Sequence, residues 1–206
     1  MNTKPAIQAL PVDHTVDRQA VRSTNWRRLA DQPLQDSTNI RVEIASNQTY
    51  QRWEGFGAAG SELGWRALST LDESRRERFF QRLFGADGAG FNWIRLPIGA
   101  SDFALDAYSF SEVAEDYELE HFTIERDRQY LIPFIRAAKS ANPALRIHAS
   151  PWSPPGWMKR GGAMDGQKDS ELRDEPGVLQ AYAAYLRKFI QAYEEEGIHI
   201  DRLMVQ

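Results

Sequence analysis

Short apolar runs alternate with longer helical patterns along most of the sequence, and this alternation limits the fold more than any other feature. The runs lie near residues 52–57, 91–98, 145–149 and 200–206. A parallel sheet whose strands are joined by helices produces such an order. The run at 91–98 is almost continuously apolar, as expected of a strand that is covered on both faces. The sequence therefore predicts an α/β fold with a parallel sheet and helices outside it.

Three helices are predicted between these strands. Residues 68–84 place apolar side chains at helical intervals, and Gly85 follows as a candidate C-terminal cap. Thr123 is a candidate cap for the second helix, in which Pro133 predicts a kink or a late start. The third helix covers residues 176–197, from the proline that opens it to the glycine that ends it.

Long loops follow the predicted strands, which is where a (β/α)8 barrel, or TIM barrel, has its active site. The G-x-G-x-x-G string at residues 55–60 is not followed directly by a predicted helix, which argues against a nucleotide-binding Rossmann fold. A complete barrel typically needs ~250 residues. Four strand units within 206 residues therefore predict a partial barrel over residues 51–206, truncated after strand 4.

The sequence before the barrel has two predicted parts. Residues 1–36 carry no sustained period and are predicted to be an irregular tail. Residues 37–50 include an alternation of apolar and polar residues at 40–44, which is typical of a half-buried strand. The opening residues lack the apolar core of a signal peptide, and no run is long enough to span a bilayer. We therefore expect a soluble protein with no export signal and no membrane span, and the sequence assigns it no compartment.

The composition excludes several kinds of partner. A net charge of −4 gives no basic surplus for nucleic acid, and the absence of cysteine excludes disulfides and thiolate metal sites. The four histidines show no ligand spacing such as H-E-x-x-H. We predict no metal, no cofactor and no nucleic-acid partner.

Two tryptophans and three of the ten prolines fall within residues 150–159, here called the tryptophan loop. Such a run is typical of a rigid loop at a strand end, where binding residues gather on a fixed scaffold. A tryptophan offers apolar ring area and an N–H donor, which match the C–H face and the hydroxyl rim of a pyranose. Trp152 and Trp157 are therefore candidate sugar-binding residues.

Two basic residues lie within predicted strands. Arg95 interrupts the apolar run at 91–98, so it is either a paired structural charge or an active-site arginine at a strand end. His148 lies on the strand that leads into the tryptophan loop. We interpret it as packed and hydrogen-bonded rather than as a residue that lines a pocket.

Six motifs, in the same order, resemble glycoside hydrolase family 30, the glucosylceramidase-like enzymes. The motifs are residues 55–59, 92–99, 101–103, 108–110, 116–119 and 150–159. The resemblance runs from about residue 40 to residue 206 and corresponds to the N-terminal portion of the family. It implies a retaining β-glycosidase on a (β/α)8 barrel, with a β-sandwich side domain to which the strand at 40–44 would contribute. The implied substrates are β-glucosides, β-glucans or glucosylceramide.

The resemblance also implies roles for individual residues. Asp102 and Trp152 match family residues that hydrogen-bond the sugar in the first subsite, and Phe103 is similar to an aromatic residue of the same pocket. Arg95 matches an arginine beneath the catalytic nucleophile. Trp157 belongs to the same tryptophan loop, which would form one wall of the subsite.

The family's reaction uses two glutamates, and neither is carried over to this sequence. In the family, the acid/base glutamate follows the fourth strand and the nucleophile belongs to a later one, so no catalytic residue is assigned here. One departure from the family motif is Glu62, which stands where many members have a shorter aspartate. Apart from Asp102, the carboxylates on or near the candidate loops are predicted to be structural or at the surface. These are Glu54, Glu62, Asp106 and Asp116.

Three hypotheses about function follow. The chain is the N-terminal part of a β-glycosidase and inactive by itself, because general acid catalysis needs a positioned acid. Alternatively, it is a non-catalytic carbohydrate-binding remnant, or a half-barrel that assembles with a separately encoded C-terminal half. The leaving group and the exact sugar specificity are open, and the candidate substrates are glucosylceramide, β-1,6-glucan and xylan.

Overall fold

A computed structural model describes residue 45, residues 47–166 and residues 170–205. The chain forms two compact units, Met1–Gln51 and Arg52–Gln206, and the fold described below is that of the second. The predicted tail at 1–36 and the predicted strand at 40–44 lie outside the described residues. The contribution of that strand to a β-sandwich stays a prediction.

A four-stranded parallel sheet forms the centre of the second unit, with its strands in chain order. The strands are β1 (Gly57–Ala59), β2 (Trp93–Ile98), β3 (Arg146–Pro151) and β4 (Arg202–Leu203). Helices connect them, which confirms the predicted α/β fold and agrees with part of a (β/α)8 barrel. The predicted strands near 91–98, 145–149 and 200–206 therefore form close to where the sequence indicated.

The first strand begins later than the run at 52–57 predicted. Gly55 has a φ of +118°, in the left-handed range, so the chain turns there instead of running straight. Pairing with β2 begins only at Gly57. A Cβ atom at Gly57 would stand 2.5 Å from the carbonyl oxygen of Trp93, so a glycine is needed for the two strands to approach this closely.

The single helix predicted over residues 68–84 is two helices, α1 (Glu62–Ser69) and α2 (Glu73–Phe84). Each has its own N-cap, because the side chain of Ser61 accepts a hydrogen bond from Gly64 N–H and that of Asp72 accepts one from Arg75 N–H. The predicted helix began at residue 68 and so missed most of α1, because the cap at Ser61 was not recognised. The predicted cap at Gly85 is confirmed, since its N–H donates to the carbonyl oxygen of Gln81.

The second predicted helix is also divided, into α3 (Glu125–Gln129) and α4 (Leu131–Ala141). The N-cap residue of α3 is Ile124, so the predicted cap at Thr123 is one residue too early, although the hydroxyl of Thr123 accepts a hydrogen bond from Glu125 N–H at 3.1 Å. Pro133 falls in the first turn of α4, where its missing N–H breaks no helical hydrogen bond. The expected late start is therefore confirmed. The last helix, α5 (Pro176–Glu195), begins at the predicted proline.

The two faces of the sheet have different environments. The face toward the helices is fully buried, which stabilises the fold by about 1.5–3 kcal/mol for each large apolar side chain. Its residues are Ile94, Leu96, Ile98, Ile147 and Ala149, all 0% exposed. The alternating positions on β2 and β3 include partly exposed residues. These are Trp93, Arg95, Arg146 and His148. No helix within the described residues is long and apolar enough to cross a membrane.

Candidate functional site

The loops that carry the predicted site residues leave the sheet from one edge. Strands β2 and β3 pair in register from Trp93–Arg146 to Ile98–Pro151, so they end side by side. The loop after β2 carries Asp102, and the tryptophan loop follows β3. Because the carboxyl ends of parallel strands meet at one edge of a sheet, the topology brings these two loops to the same edge.

Arg95 and Trp152 form a cation–π pair at this edge. The guanidinium carbon of Arg95 lies 5.2 Å from the centroid of the Trp152 ring. The carbonyl oxygen of Arg95 accepts a hydrogen bond from Gly60 N–H at 2.9 Å, which also ties β2 to the turn before α1. Among the described residues, no carboxylate makes an ion pair with Arg95. Of the two predictions for Arg95, the paired structural charge is therefore not borne out by an ion pair, and its guanidinium lies against an aromatic ring.

The tryptophan loop is held by a buried lysine. The Nζ atom of Lys159 donates to the hydroxyl of Ser153 at 3.0 Å and to the carbonyl oxygen of Met164 at 2.9 Å. Burial lowers the pKa of this ammonium group, and the charge of Asp165 partly offsets the effect. These two hydrogen bonds join the end of the tryptophan loop to its middle and to the segment that follows it, and the rigidity of the loop stays a prediction. Trp152 is 42% exposed.

The indole N–H of Trp157 is directed into the protein. Its indole N–H donates to the carbonyl oxygen of Ser111 at 3.1 Å, and its ring packs edge-on against Tyr117 with the centroids 5.5 Å apart. The residue therefore links the tryptophan loop to the long loop after β2. The contact of Trp157 with a sugar stays a prediction, and its N–H is already engaged in the hydrogen bond to Ser111.

Asp102 and Phe103 lie on a short exposed turn after β2. The side chain of Phe103 is 58% exposed. Two hydrogen bonds fasten the turn. The carbonyl oxygen of Phe103 accepts from the backbone N–H of Leu63 at 3.1 Å, and the backbone N–H of Leu105 donates to the side-chain carboxylate of Glu62 at 2.8 Å. The turn is therefore anchored from α1 while its two candidate side chains are exposed.

Glu62 is a structural carboxylate, as predicted. It is 2% exposed, and Arg126 meets it with two hydrogen bonds, from Nε at 2.7 Å and from Nη2 at 3.0 Å. A bidentate pair of this kind neutralises the charge of the carboxylate inside the protein. The role of Arg126 was missed by sequence reasoning, because nothing in the sequence links two residues that lie 64 positions apart.

The other candidate carboxylates also have structural or surface roles. Glu54 makes an ion pair with Arg202 of β4. Asp116 accepts hydrogen bonds from the backbone N–H groups of Glu120 and His121, both at 2.9 Å. Asp106 is exposed, and its side chain lies 3.5 Å from the guanidinium of Arg126. The structural predictions for these three residues are confirmed.

His148 differs from its prediction. Within the described part of the chain, no hydrogen-bond partner reaches its buried Nε2 atom. Its register partners are Arg95 on β2 and Arg202 on β4. Burial lowers the pKa of His148, and the positive charges of these two arginines lower it further. The neighbouring charges therefore disfavour protonation of the imidazole, and its Nε2 atom lacks the hydrogen bond that was expected.

The described side chains at this edge suit a neutral polar ligand better than a metal ion. They include the exposed rings of Trp152 and Phe103, the exposed carboxylate of Asp102 and the guanidinium of Arg95 against the Trp152 ring. No group of three or more histidine or acidic side chains in residues 47–166 and 170–205 could hold a metal. Aromatic area next to a few hydrogen-bonding groups is the usual composition of a sugar site.

Comparisons with known proteins agree with this geometry. The model of the glycosyl hydrolase family 30 TIM-barrel domain matches residues 53–206. A Caenorhabditis elegans protein that carries the provisional name glucosylceramidase 4 is 34% identical over 183 residues, which are 85% of this chain and 35% of the relative. Endo-1,6-beta-D-glucanase neg1 of Aspergillus fumigatus is 32% identical over 191 residues, 86% of this chain and 39% of the relative.

A solved structure shows the same architecture. SrfJ from Salmonella typhimurium superposes with a TM-score of 0.69 at 29% identity and covers 74% of this chain and 34% of that protein. The chain thus spans a little over a third of the length of the two curated relatives above. From residue 53 to residue 206, the family domain, the parallel sheet and the order of the loops agree, and the chain belongs to glycoside hydrolase family 30.

Proposed function

We propose that this chain forms one wall of the first sugar subsite of a retaining β-glycosidase that hydrolyses β-glucosidic bonds. The observation that carries the proposal is the arrangement of exposed Trp152 over Arg95, next in the sheet to the exposed turn of Asp102 and Phe103. A family 30 barrel domain over most of the chain supports it. Each of these side chains then has a role that fits its exposure.

In this proposal, Asp102 accepts hydrogen bonds from sugar hydroxyls, because an exposed carboxylate offers several acceptor positions. Trp152 covers an apolar face of the pyranose and offers its indole N–H to a hydroxyl. Phe103 lines the same pocket. Arg95 keeps the Trp152 ring in place from below and contributes a fixed positive charge to a site where acidic groups react.

The reaction itself would use two glutamates about 5–5.5 Å apart, one as the nucleophile and one as the acid and base. Glu54 and Glu62 do not suit these roles, since each is bound to an arginine. We therefore propose that both catalytic glutamates come from polypeptide other than these 206 residues, and that a protein of residues 1–206 alone does not hydrolyse glycosides.

The names of the relatives support a β-linked glucosyl group in the subsite. One relative is named a glucosylceramidase and another an endo-1,6-β-D-glucanase, and both names describe the cleavage of a β-glucoside. We propose that this chain recognises the glucosyl group that such substrates share. The lipid or glucan part would contact other segments of the protein.

The uncovered side of the sheet supports a further polypeptide partner. Trp93, Arg95 and Arg146 are only partly buried there, whereas the opposite face of the same strands is fully buried. The remaining strands of a barrel would cover this side and complete the site. A C-terminal half, in the same polypeptide or a separate one, is the partner that we propose.

The test is a titration of the purified protein with methyl β-D-glucoside, in which the NMR chemical shifts of the protein report binding. We expect the dissociation constant to rise by about tenfold, or ~1.4 kcal/mol, in both Trp152→Ala and Asp102→Ala. The exposed Phe79→Ala on α2 is the control, and its affinity should equal that of the parent protein. Equal affinity in all four proteins would show that this edge of the sheet is not the sugar subsite.

A further inference from the structure

The turn that carries Asp102 and Phe103 owes its position to α1. Two hydrogen bonds anchor its outer part to that helix. Leu63 N–H donates to the carbonyl oxygen of Phe103, and Leu105 N–H donates to the carboxylate of Glu62. The second anchor is a side chain, so its length and charge determine where the turn lies.

Glu62 is itself held from two directions. It is the first residue of α1, directly after the capping Ser61. Both of its carboxylate oxygens receive hydrogen bonds from Arg126 of α3. The guanidinium carbon of Arg126 lies 4.2 Å from the ring centroid of Tyr108, where the loop after β2 returns to the protein. The carboxylate of Glu62 therefore connects α1, α3 and the turn at Leu105, and Arg126 extends this connection to Tyr108.

We propose that Glu62 is a positioning residue of the sugar subsite, which fixes Asp102 and Phe103 through the N–H of Leu105. This inference rests on the proposed function. Glu62 itself does not touch the sugar, and it affects sugar binding only through the position of the turn.

The length of the side chain is the sensitive variable. An aspartate at position 62 is one C–C bond, or roughly 1.5 Å, shorter. The hydrogen bonds of 2.7–3.0 Å that Glu62 makes would then exceed the range of a hydrogen bond unless the turn or α3 moved. The aspartate that many family members have at this position would therefore not hold this particular turn where Glu62 holds it.

A simple structural ion pair would behave differently from a positioning residue, and the chain offers a matched control. Glu196 is partly buried, whereas Glu62 is fully buried, and it pairs with two arginines, Arg128 at 2.7 Å and Arg136 at 2.9 Å, but it has no contact with the turn. Glu196→Asp therefore shortens an arginine-bound glutamate in the same way without affecting a loop anchor.

The experiment compares Glu62→Asp, Glu62→Gln and Glu196→Asp by hydrogen exchange at the amide of Leu105 and by affinity for methyl β-D-glucoside. We expect Glu62→Asp to speed exchange at Leu105 by about tenfold or more, since the amide loses its acceptor. We also expect it to weaken sugar binding by about fivefold, or ~1 kcal/mol. Glu196→Asp should leave both measurements unchanged.

Unchanged exchange at Leu105 in both Glu62 variants would overturn the inference. So would faster exchange with parent affinity in Glu62→Asp, if Asp102→Ala weakens binding in the same assay. If Asp102→Ala has no effect on binding, the proposed function is wrong, and faster exchange at Leu105 still supports Glu62 as the anchor of this turn. Glu62→Gln keeps the inference testable if Glu62→Asp does not fold.

Discussion

The guanidinium carbon of Arg95 lies 5.2 Å from the ring centroid of Trp152, so a charge on one strand supports the aromatic ring that follows the next strand. This contact explains how an arginine is accommodated within an otherwise apolar strand. The neighbours Ile94 and Leu96 are fully buried against the helices, whereas Arg95 lies on the other face of β2. The ring provides a favourable electrostatic contact without a carboxylate.

Removing this charge should affect sugar binding more than folding. We expect Arg95→Met to weaken the affinity for methyl β-D-glucoside by about two- to fivefold, because a cation–π contact of ~0.5–1 kcal/mol no longer orients Trp152. Arg146→Met is the matched control, since Arg146 stacks on Trp93 at 4.0 Å on the same face of the sheet. Equal affinities in the two variants would contradict a specific role for Arg95.

Trp157 and Trp152 should respond in opposite ways to the loss of the indole N–H. We expect Trp157→Phe to lower the free energy of unfolding by about 1 kcal/mol, because the carbonyl oxygen of Ser111 loses the indole donor and keeps only the hydroxyl of Ser109. Trp152→Phe should instead weaken sugar binding and leave stability nearly unchanged. Urea unfolding and NMR titration of both variants check this. A loss of affinity in Trp157→Phe at unchanged stability would show that its N–H serves the sugar.

The sequence predicted the parts of the fold that depend on local patterns. The strand at 91–98 and the helix that begins at Pro176 follow from hydrophobic runs and periodicity, and both form close to the expected positions. The errors lie where a single residue turns the chain or divides a helix. The predicted strand at 52–57 fails at Gly55, whose positive φ turns the chain, and the predicted helix at 68–84 is divided by the cap at Asp72.

The candidate site residues could be proposed only where they lie within motifs. Trp152 lies in a run of tryptophan and proline that suits a sugar-binding loop, whereas the role of Asp102 was implied only by the family resemblance. The contacts that hold those runs in place are long-range, as in Glu62 with Arg126 or Trp157 with Ser111. Periodicity and spacing contain no information on such pairs, since both partners meet only after the sheet and the helices have assembled.

A purified protein of residues 1–206 should leave an aryl β-glucoside intact. The reaction needs an unpaired acid next to a nucleophile, whereas Glu62 is bound to Arg126 and Glu54 to Arg202. Release of the aryl group measured by absorbance is the assay, with the Trp152→Ala variant as control. Turnover that disappears in this variant would contradict the proposal that the catalytic glutamates lie outside these residues.

The stability of the protein should fall as the pH rises through about 7, because of one buried carboxyl group. Asp127 is 0% exposed, and its two oxygens accept hydrogen bonds from the hydroxyls of Tyr108, at 2.8 Å, and Tyr193. Burial raises the pKa of Asp127 to about 7, although the two hydroxyls act in the opposite direction. In the unfolded chain the ordinary pKa of 3.8 applies.

Between these two pKa values, the folded state holds a proton that the unfolded state has lost. The stabilising contribution is therefore fully present below about pH 4 and is lost as the pH approaches and passes 7, by at most about 1.4 kcal/mol per pH unit. We expect the difference in free energy of unfolding between the parent protein and Asp127→Asn to decrease from pH 5 to pH 8 and then to level off. Urea unfolding of both proteins at each pH measures it. A difference that stays constant over this range would show that Asp127 does not titrate there.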